Sequence, residues 1–307
     1  MHQLAAEQTS PLSIAPAAAA PRKGISRRAF LRGAAALVAL PAASTVWARE
    51  VEPFWLDLHD VPLTIPGLPR AFDGLRVAQL TDLHMDDHVP LAYLRRVIER
   101  VNAAKPDIVL ITGDVVNHSM EWIDPAAELL AGLDAPKFVS FGNHDYVPWN
   151  ARPGPFTVIA DPLEKALRDT GCTVLRNRAS SIDRGGEKLW IVGIEDLWST
   201  RFSPADAFQG LDGRKLTILT MSHNPDSAPH VVPYLPRLIL AGHTHGGQIR
   251  VPLLGAPLLP LVDRRFDQGL FALENACQMY VSRGVGFLMR ARFCCRPEVP
   301  VFVLSAK

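Results

Sequence analysis

Short apolar runs alternate with longer amphipathic stretches through most of this 307-residue chain. Residues 75–80, 108–112, 138–141, 216–221 and 238–241 are brief, mostly aliphatic runs, the pattern of buried strands. Residues 189–194, 278–282 and 299–304 read the same way. Between them, residues 90–105 place Leu91, Leu94, Val97, Ile98 and Val101 on one helical face, and Pro106 ends the stretch. Residues 124–133 and 161–170 each open with Asp before Pro, a helix-start signal, and Gly171 supplies a stop. Without repeats or a linker, this alternation predicts a single α/β domain with strands inside and helices outside.

Five of those runs end in residues that carry chemistry. Asp82-Leu83-His84, Gly113-Asp114, Gly142-Asn143-His144-Asp145, Ser222-His223-Asn224 and Gly242-His243-Thr244-His245 stand directly behind them. The carboxyl ends of neighbouring strands converge on one edge of such a fold, so these side chains are expected in one crevice. Asp82 and His84 are two apart on a segment that reads as extended, which turns both to one side, and His243 and His245 repeat the device. Asp114 offers a carboxylate able to bridge two cations, and Asn143 a neutral carbonyl oxygen. Imidazole and carboxylate without thiolate suit Zn, Mn, Fe or Ni. Two carboxylates facing two divalent cations leave a positive site that can hold hydroxide and phosphate together. Singly, Asp82, Asp114 and Asp145 would read as helix caps and His223 as a core or loop histidine; their joint placement at strand ends outweighs that. His59, His88, His118 and His230 receive no metal role, although His88 and His118 lie near the motifs.

This motif set resembles the calcineurin-like metallophosphoesterases, in particular their small bacterial, twin-arginine-exported branch. The resemblance runs from about residue 63 to 304 and includes Gly246-Gly247-Gln248-Ile249 and Arg296-Pro297-Glu298. It implies a four-layer αββα sandwich and two divalent metal ions, Mn, Zn or Fe. By it, Asp82, His84 and His245 hold one ion, Asn143, His223 and His243 the other, and Asp114 bridges them. His144 is expected at the phosphate or leaving oxygen, with Asp145 orienting it. The implied reaction is hydrolysis of a phosphomonoester or phosphodiester by a metal-bridging hydroxide. Asn117 stands where the family often has Asp, which bears on fine tuning of the site. One alternative is a lipid-directed phosphodiesterase or pyrophosphatase of the cell envelope. Another is a catalytically silent, partner-binding scaffold; that would have lost ligands or His144, and this chain retains them.

The amino terminus reads as an address. Ser26-Arg27-Arg28-Ala29-Phe30-Leu31-Arg32, an alanine-rich apolar stretch and Val46-Trp47-Ala48 come in the order of a twin-arginine export signal with its cleavage site. The apolar run contains Pro41 and is short beside the roughly 20 residues of a membrane span. Residues 1–48 are therefore expected to be a signal with a disordered extension, and 49–307 the catalytic domain. The expected partner is the twin-arginine machinery and the expected location the periplasm or cell envelope, with a membrane tether if the signal stays uncleaved.

Charge narrows the substrate. The chain is formally +1, but five basic residues and one acid lie in 1–48; taking them from 32 and 31 leaves 27 and 30. A net negative body argues against bulk binding to nucleic acid or anionic membrane, leaving a small or lipid-linked phosphoester. Aromatic residues make up only 7%, so bases stacked on exposed rings are not a theme. Arg250, Arg264, Arg265, Arg283, Arg290, Arg292 and Arg296 read mostly as a solvated basic face. Residues 252–262 are apolar and close to the last histidine pair, either packed under a Pro-rich loop or forming a lipid-contacting lip. Cys172, Cys277, Cys294 and Cys295 lack C-x-x-C spacing and read as buried small hydrophobes, with a disulfide left open for an exported protein.

Overall fold

Side-chain alternation along the strands sorts the apolar residues into three layers of core. The computed structural model describes residues 26–28, 39, 41–147 and 158–306. Residues Thr45–Lys307 form one compact unit and Met1–Ser44 another. Of the expected export signal and its extension, residues 1–25, 29–38 and 40 lie outside the described residues.

One six-stranded sheet contains β1 (Asp57–Ile65), β2 (Arg76–Leu80), β3 (Ile108–Thr112), β4 (Lys137–Ser140), β5 (Thr173–Val174) and the final strand, β12 (Glu298–Ala306), in the order β1-β12-β2-β3-β4-β5. The other contains β6 (Arg178–Arg184), β7 (Glu187–Gly193), β8 (Ile218–Met221), β9 (Leu238–Ala241), β10 (Gly269–Ala272) and β11 (Gln278–Val281), in the order β10-β11-β9-β8-β7-β6. Strands β2 to β5 are parallel, and so are β7 to β9.

Val77, Leu110, Phe138 and Phe302 from the first sheet meet Leu189, Ile191, Leu219, Leu238 and Leu240 from the second. On the outer face of the first sheet, Ala78, Val109, Ile111 and Val139 pack against α1 (Leu91–Ala103), α2 (Ile123–Ala131) and α3 (Ala160–Asp169). On the outer face of the second, Val192, Ile218, Ile239 and Ala241 are covered by the short α4 (Pro204–Ala207) and α5 (Ala228–Val231). The order is helix, sheet, sheet, helix, with the second helical layer reduced to single turns. Each fully buried aliphatic side chain contributes roughly 1.5–3 kcal/mol, so the inter-sheet layer fixes how the sheets stack.

That stacking brings the carboxyl ends of β2, β3, β4, β8 and β9 together. Gln79, fully buried in β2, donates to Ala241 O at the end of β9 and to Thr112 Oγ1 at the end of β3, both at 2.9 Å. A buried amide that joins three strand ends across two sheets ties the site's walls in register.

Candidate metal centre and active site

The loops that leave these strands turn sharply. Asp82, His84, Asp114, His243 and His245 have φ of 54°, 46°, 51°, 68° and 50°. The extended segments expected for Asp82–His84 and His243–His245 are thus left-handed turns, and it is this backbone twist that aims both members of each pair inward. Left-handed non-glycine residues cost of order 1–3 kcal/mol each and persist only where surrounding contacts hold them. Here Asp82 N donates to Gly113 O and His84 N to Asp114 O, both at 3.0 Å, and Gly286 N donates to Asp82 O at 2.7 Å. Gly113, at φ 94°, is required outright: a Cβ there would lie 2.5 Å from Gly142 N and 2.8 Å from His223 Nδ1.

Three overlapping clusters result. Asp82, His84 and His245 form one, Asp114, His223 and His243 another, and His84, Asp114 and His144 a third that joins them. His84 Nε2 and His245 Nε2 face each other at 3.0 Å, and Asp82 Oδ1 is 3.3 Å from His245 Nε2. Asp114 Oδ2 lies 3.4 Å from His84 Nε2 and 3.1 Å from His223 Nε2, which places it between the clusters. Second contacts fix the rings: His223 Nδ1 pairs with Thr112 O at 2.7 Å and His243 Nε2 with Pro260 O at 3.2 Å. Asn143 Oδ1 is buried and has no hydrogen-bond partner among the described residues. The site also concentrates charge. Burial pushes Asp114 up, but His223, His144 and His84 hold its carboxyl well below the usual range. Burial lowers His223, yet Asp114 and Asp82 raise it well above the imidazole range, while burial brings His243 down to about 4.

This donor set fits divalent cations. Converging imidazole nitrogens, two carboxylates and an unpartnered amide oxygen, with no thiolate among them, match Zn, Mn or Fe. Cations between the facing nitrogens would also relieve the repulsion that close donor atoms otherwise carry.

His144 stands over Asp114, its Nε2 at 4.0 Å from Oδ2 and its backbone N donating to Oδ1 at 2.9 Å. Any orienting role of Asp145 acts through the backbone of the loop that carries His144. Both Asp145 oxygens accept backbone N–H groups, from Val116 at 3.0 Å and Gly142 at 2.9 Å, so this carboxylate shapes the loop. Burial, with Asp114 nearby, raises Asp145 to about 7. The partner of His144 Nδ1 is Asn117 Oδ1 at 2.8 Å, and Asn117 Nδ2 donates onward to Asp86 Oδ2 at 2.6 Å. The departure at Asn117 is therefore structured: the amide relays orientation from Asp86 to His144 and keeps the negative charge one link away. Burial brings His144 down to about 3, with Asp114 pulling upward and His84 and His118 downward.

Three further residues complete the site's surroundings. The His118 ring lies 4.1 Å from that of His144, and Trp198 stands edge-on to His243 at 4.6 Å. Position near a motif points to His118; nothing in the sequence around Trp198 marks it. His88 instead pairs with Asp86 at the surface. Arg292, expected on a solvated face, is fully buried and donates to Cys295 O, Arg283 O, Gly284 O and Gly286 O. It braces the loop whose Val285 N and Gly286 N bond to Thr81 O and Asp82 O. Cys172, Cys277 and Cys295 are buried free thiols, and Cys294 is an exposed one.

The calcineurin-like phosphoesterase family model matches residues 75–247, the span from β2 to the last histidine pair. The phosphodiesterase YaeI of Escherichia coli K12 is 35% identical over 288 residues, covering 91% of this chain and 99% of its own. The uncharacterized metallophosphoesterase YkuE of Bacillus subtilis 168 is 32% identical over 294 residues, covering 92% and 99%. The UDP-2,3-diacylglucosamine pyrophosphatase LpxG of Chlamydia trachomatis is 29% identical over 311 residues, covering 86% and 93%. Taken with the ligand geometry, these matches show that the chain belongs to the calcineurin-like phosphoesterase family and is a metal-dependent phosphoric ester hydrolase.

Proposed function

We propose that the enzyme works with two divalent ions, one held by Asp82, His84 and His245, the other by Asn143, His223 and His243, with Asp114 shared. The observation that carries this is the position of Asp114 Oδ2, within 3.4 Å of His84 Nε2 and 3.1 Å of His223 Nε2, one from each set. When bound, such ions supply Lewis acidity to the phosphoryl oxygens and an acidified water for in-line attack.

The protein's own groups do the rest. Asn117, held by Asp86, accepts from His144 Nδ1 and leaves Nε2 facing the substrate. Burial lowers this imidazole, so an anionic substrate beside Nε2 would favour the imidazolium that can donate to the leaving oxygen. Trp198 and His118 flank the site and set the shape offered to the leaving group.

A lipid-linked phosphoester is the favoured substrate class within this reading. Exposed leucines in the segment after His245 support it, as does the likeness to a relative named for a diacylglucosamine substrate. Export by the twin-arginine route to the periplasm or cell envelope completes the proposal, on Arg27-Arg28 and the apolar run behind them. A hydrolysis comparison on metal-loaded protein tests it, with an aryl monoester, an aryl diester and a phospholipid. Turnover of at least one ester that disappears on chelation is expected. Metal-independent turnover, or none with any of the three, contradicts the reading.

A further inference from the structure

Beside His243 and His245 the chain exposes an apolar stretch. Leu253, Leu254, Leu258 and Val262 are 106%, 83%, 81% and 94% exposed. The backbone beneath them is nevertheless fixed. Arg264 donates to Ala256 O and Pro257 O at 3.1 and 2.9 Å, and the Asp226 carboxylate accepts from Val262 N and Asp263 N at 2.7 and 3.0 Å. Val251 N closes a tight turn onto Gly255 O at 2.9 Å. These side chains are held outward by a built loop. The contact of Pro260 O with His243 Nε2 sets that loop at the rim of the metal site.

A second exposed apolar pair, Leu288 and Met289, is joined to the base of the first loop. Gln248 Nε2 donates to Met289 O and Ala291 O at 2.8 Å, and Arg250 N donates to Phe293 O at 2.8 Å. The same segment receives the chain as it enters the body: Arg292 N donates to Ala48 O at 2.8 Å, and Arg290 pairs with Glu50. Exposed Trp55 stands here, with the Arg296 guanidinium 4.3 Å from its ring centroid.

We infer that the 251–262 loop and the 288–289 loop together form a bilayer-docking face at the mouth of the active site. The occupant is the interfacial layer of a lipid membrane. Leucine, valine and methionine tips match its acyl boundary, and tryptophan with arginine matches its headgroup level. Neither 248–262 nor 284–297 contains an acidic residue, and the acids beside them are engaged: Asp226 accepts backbone N–H groups, Asp263 pairs with Arg265 and Glu50 with Arg290. The net negative body excludes a membrane held by bulk electrostatics; here the apolar side chains supply the attachment. The inference rests on the phosphoesterase reading in one respect: docking would present lipid-borne phosphoesters to that site without their leaving the membrane.

An environment-sensitive fluorophore tests this on the full chain. It is attached at Leu258→Cys and, separately, at Leu253→Cys, each in a Cys294→Ser background. Lys188→Cys, on the hairpin at the opposite edge of the second sheet, is the control. With vesicles of phosphatidylethanolamine and phosphatidylglycerol, a blue shift and a severalfold gain in emission are expected at 258 and 253 and not at 188. No change at 258 and 253 overturns the proposal. So does the same change on concentrating the protein without lipid, which would mean that a second copy covers the loop. Chelatable hydrolysis of a soluble aryl diester by the same labelled preparation tests the phosphoesterase reading separately, because it needs no vesicle.

Discussion

Asp114 and His144 touch the same space but answer for different things. Asp114 lies between both ligand sets, so Asp114→Asn is expected to lose metal and activity together, which elemental analysis beside kinetics would show. His144 is outside the proposed ligand sets. His144→Ala should keep its metal while kcat falls roughly 10²–10⁴-fold, the usual contribution of a positioned acid–base group. Asn117 acts through that ring, by its 2.8 Å contact with Nδ1. Asn117→Ala should lower kcat by about fivefold at unchanged metal content, since a neutral hydrogen bond is worth about 1 kcal/mol and only orientation is lost. Loss of metal in the Asn117 variant would instead make this residue part of the metal-holding framework.

At the scale of the elements, the turns after the strands decide the site. Gly113→Ala places a methyl group against Gly142 N and His223 Nδ1, contacts that backbone cannot yield. The variant should melt several degrees lower and bind metal weakly; an unchanged melting temperature and metal content would show that the turn has room its contacts deny. These turns also mark where sequence stops being legible. β3 and β9 match their apolar runs residue for residue, because strands buried on both faces read as continuous aliphatic segments. β6, Arg-Ala-Ser-Ser-Ile-Asp-Arg at a sheet edge, carries no such run and is invisible to that pattern. The helices that open at Asp-Pro begin one residue before the Asp, since Pro is tolerated anywhere in a first turn that lacks N–H partners. The candidate metal site is legible because residue types and spacing coincide at five strand ends. The left-handed φ that aims them is not, because Asp and His tolerate that region without announcing it. Arg292 misleads for a related reason: the carbonyls that bury it, those of Arg283, Gly284, Gly286 and Cys295, come from its own stretch of chain, and it is the path of that loop, not its composition, that turns them inward.

At the scale of the whole molecule, the proposed export address precedes the candidate metal centre along the chain. Arg27→Lys with Arg28→Lys should leave folded, active protein in the cytoplasm, and fractionation checks it; normal export of the double variant would remove the twin-arginine proposal. A centre with so many buried donors should also bind its ions far more tightly in the folded state than in the unfolded one. The most direct measurement is a metal titration of chelator-stripped protein, with bound metal and hydrolysis of an aryl phosphodiester read in the same samples. The expected result is negligible turnover without metal, activity that rises with occupancy and levels off at two ions per chain, and neither binding nor turnover in Asp114→Asn. Stripped protein that hydrolyses the ester as fast as loaded protein would contradict a metal-dependent hydrolase.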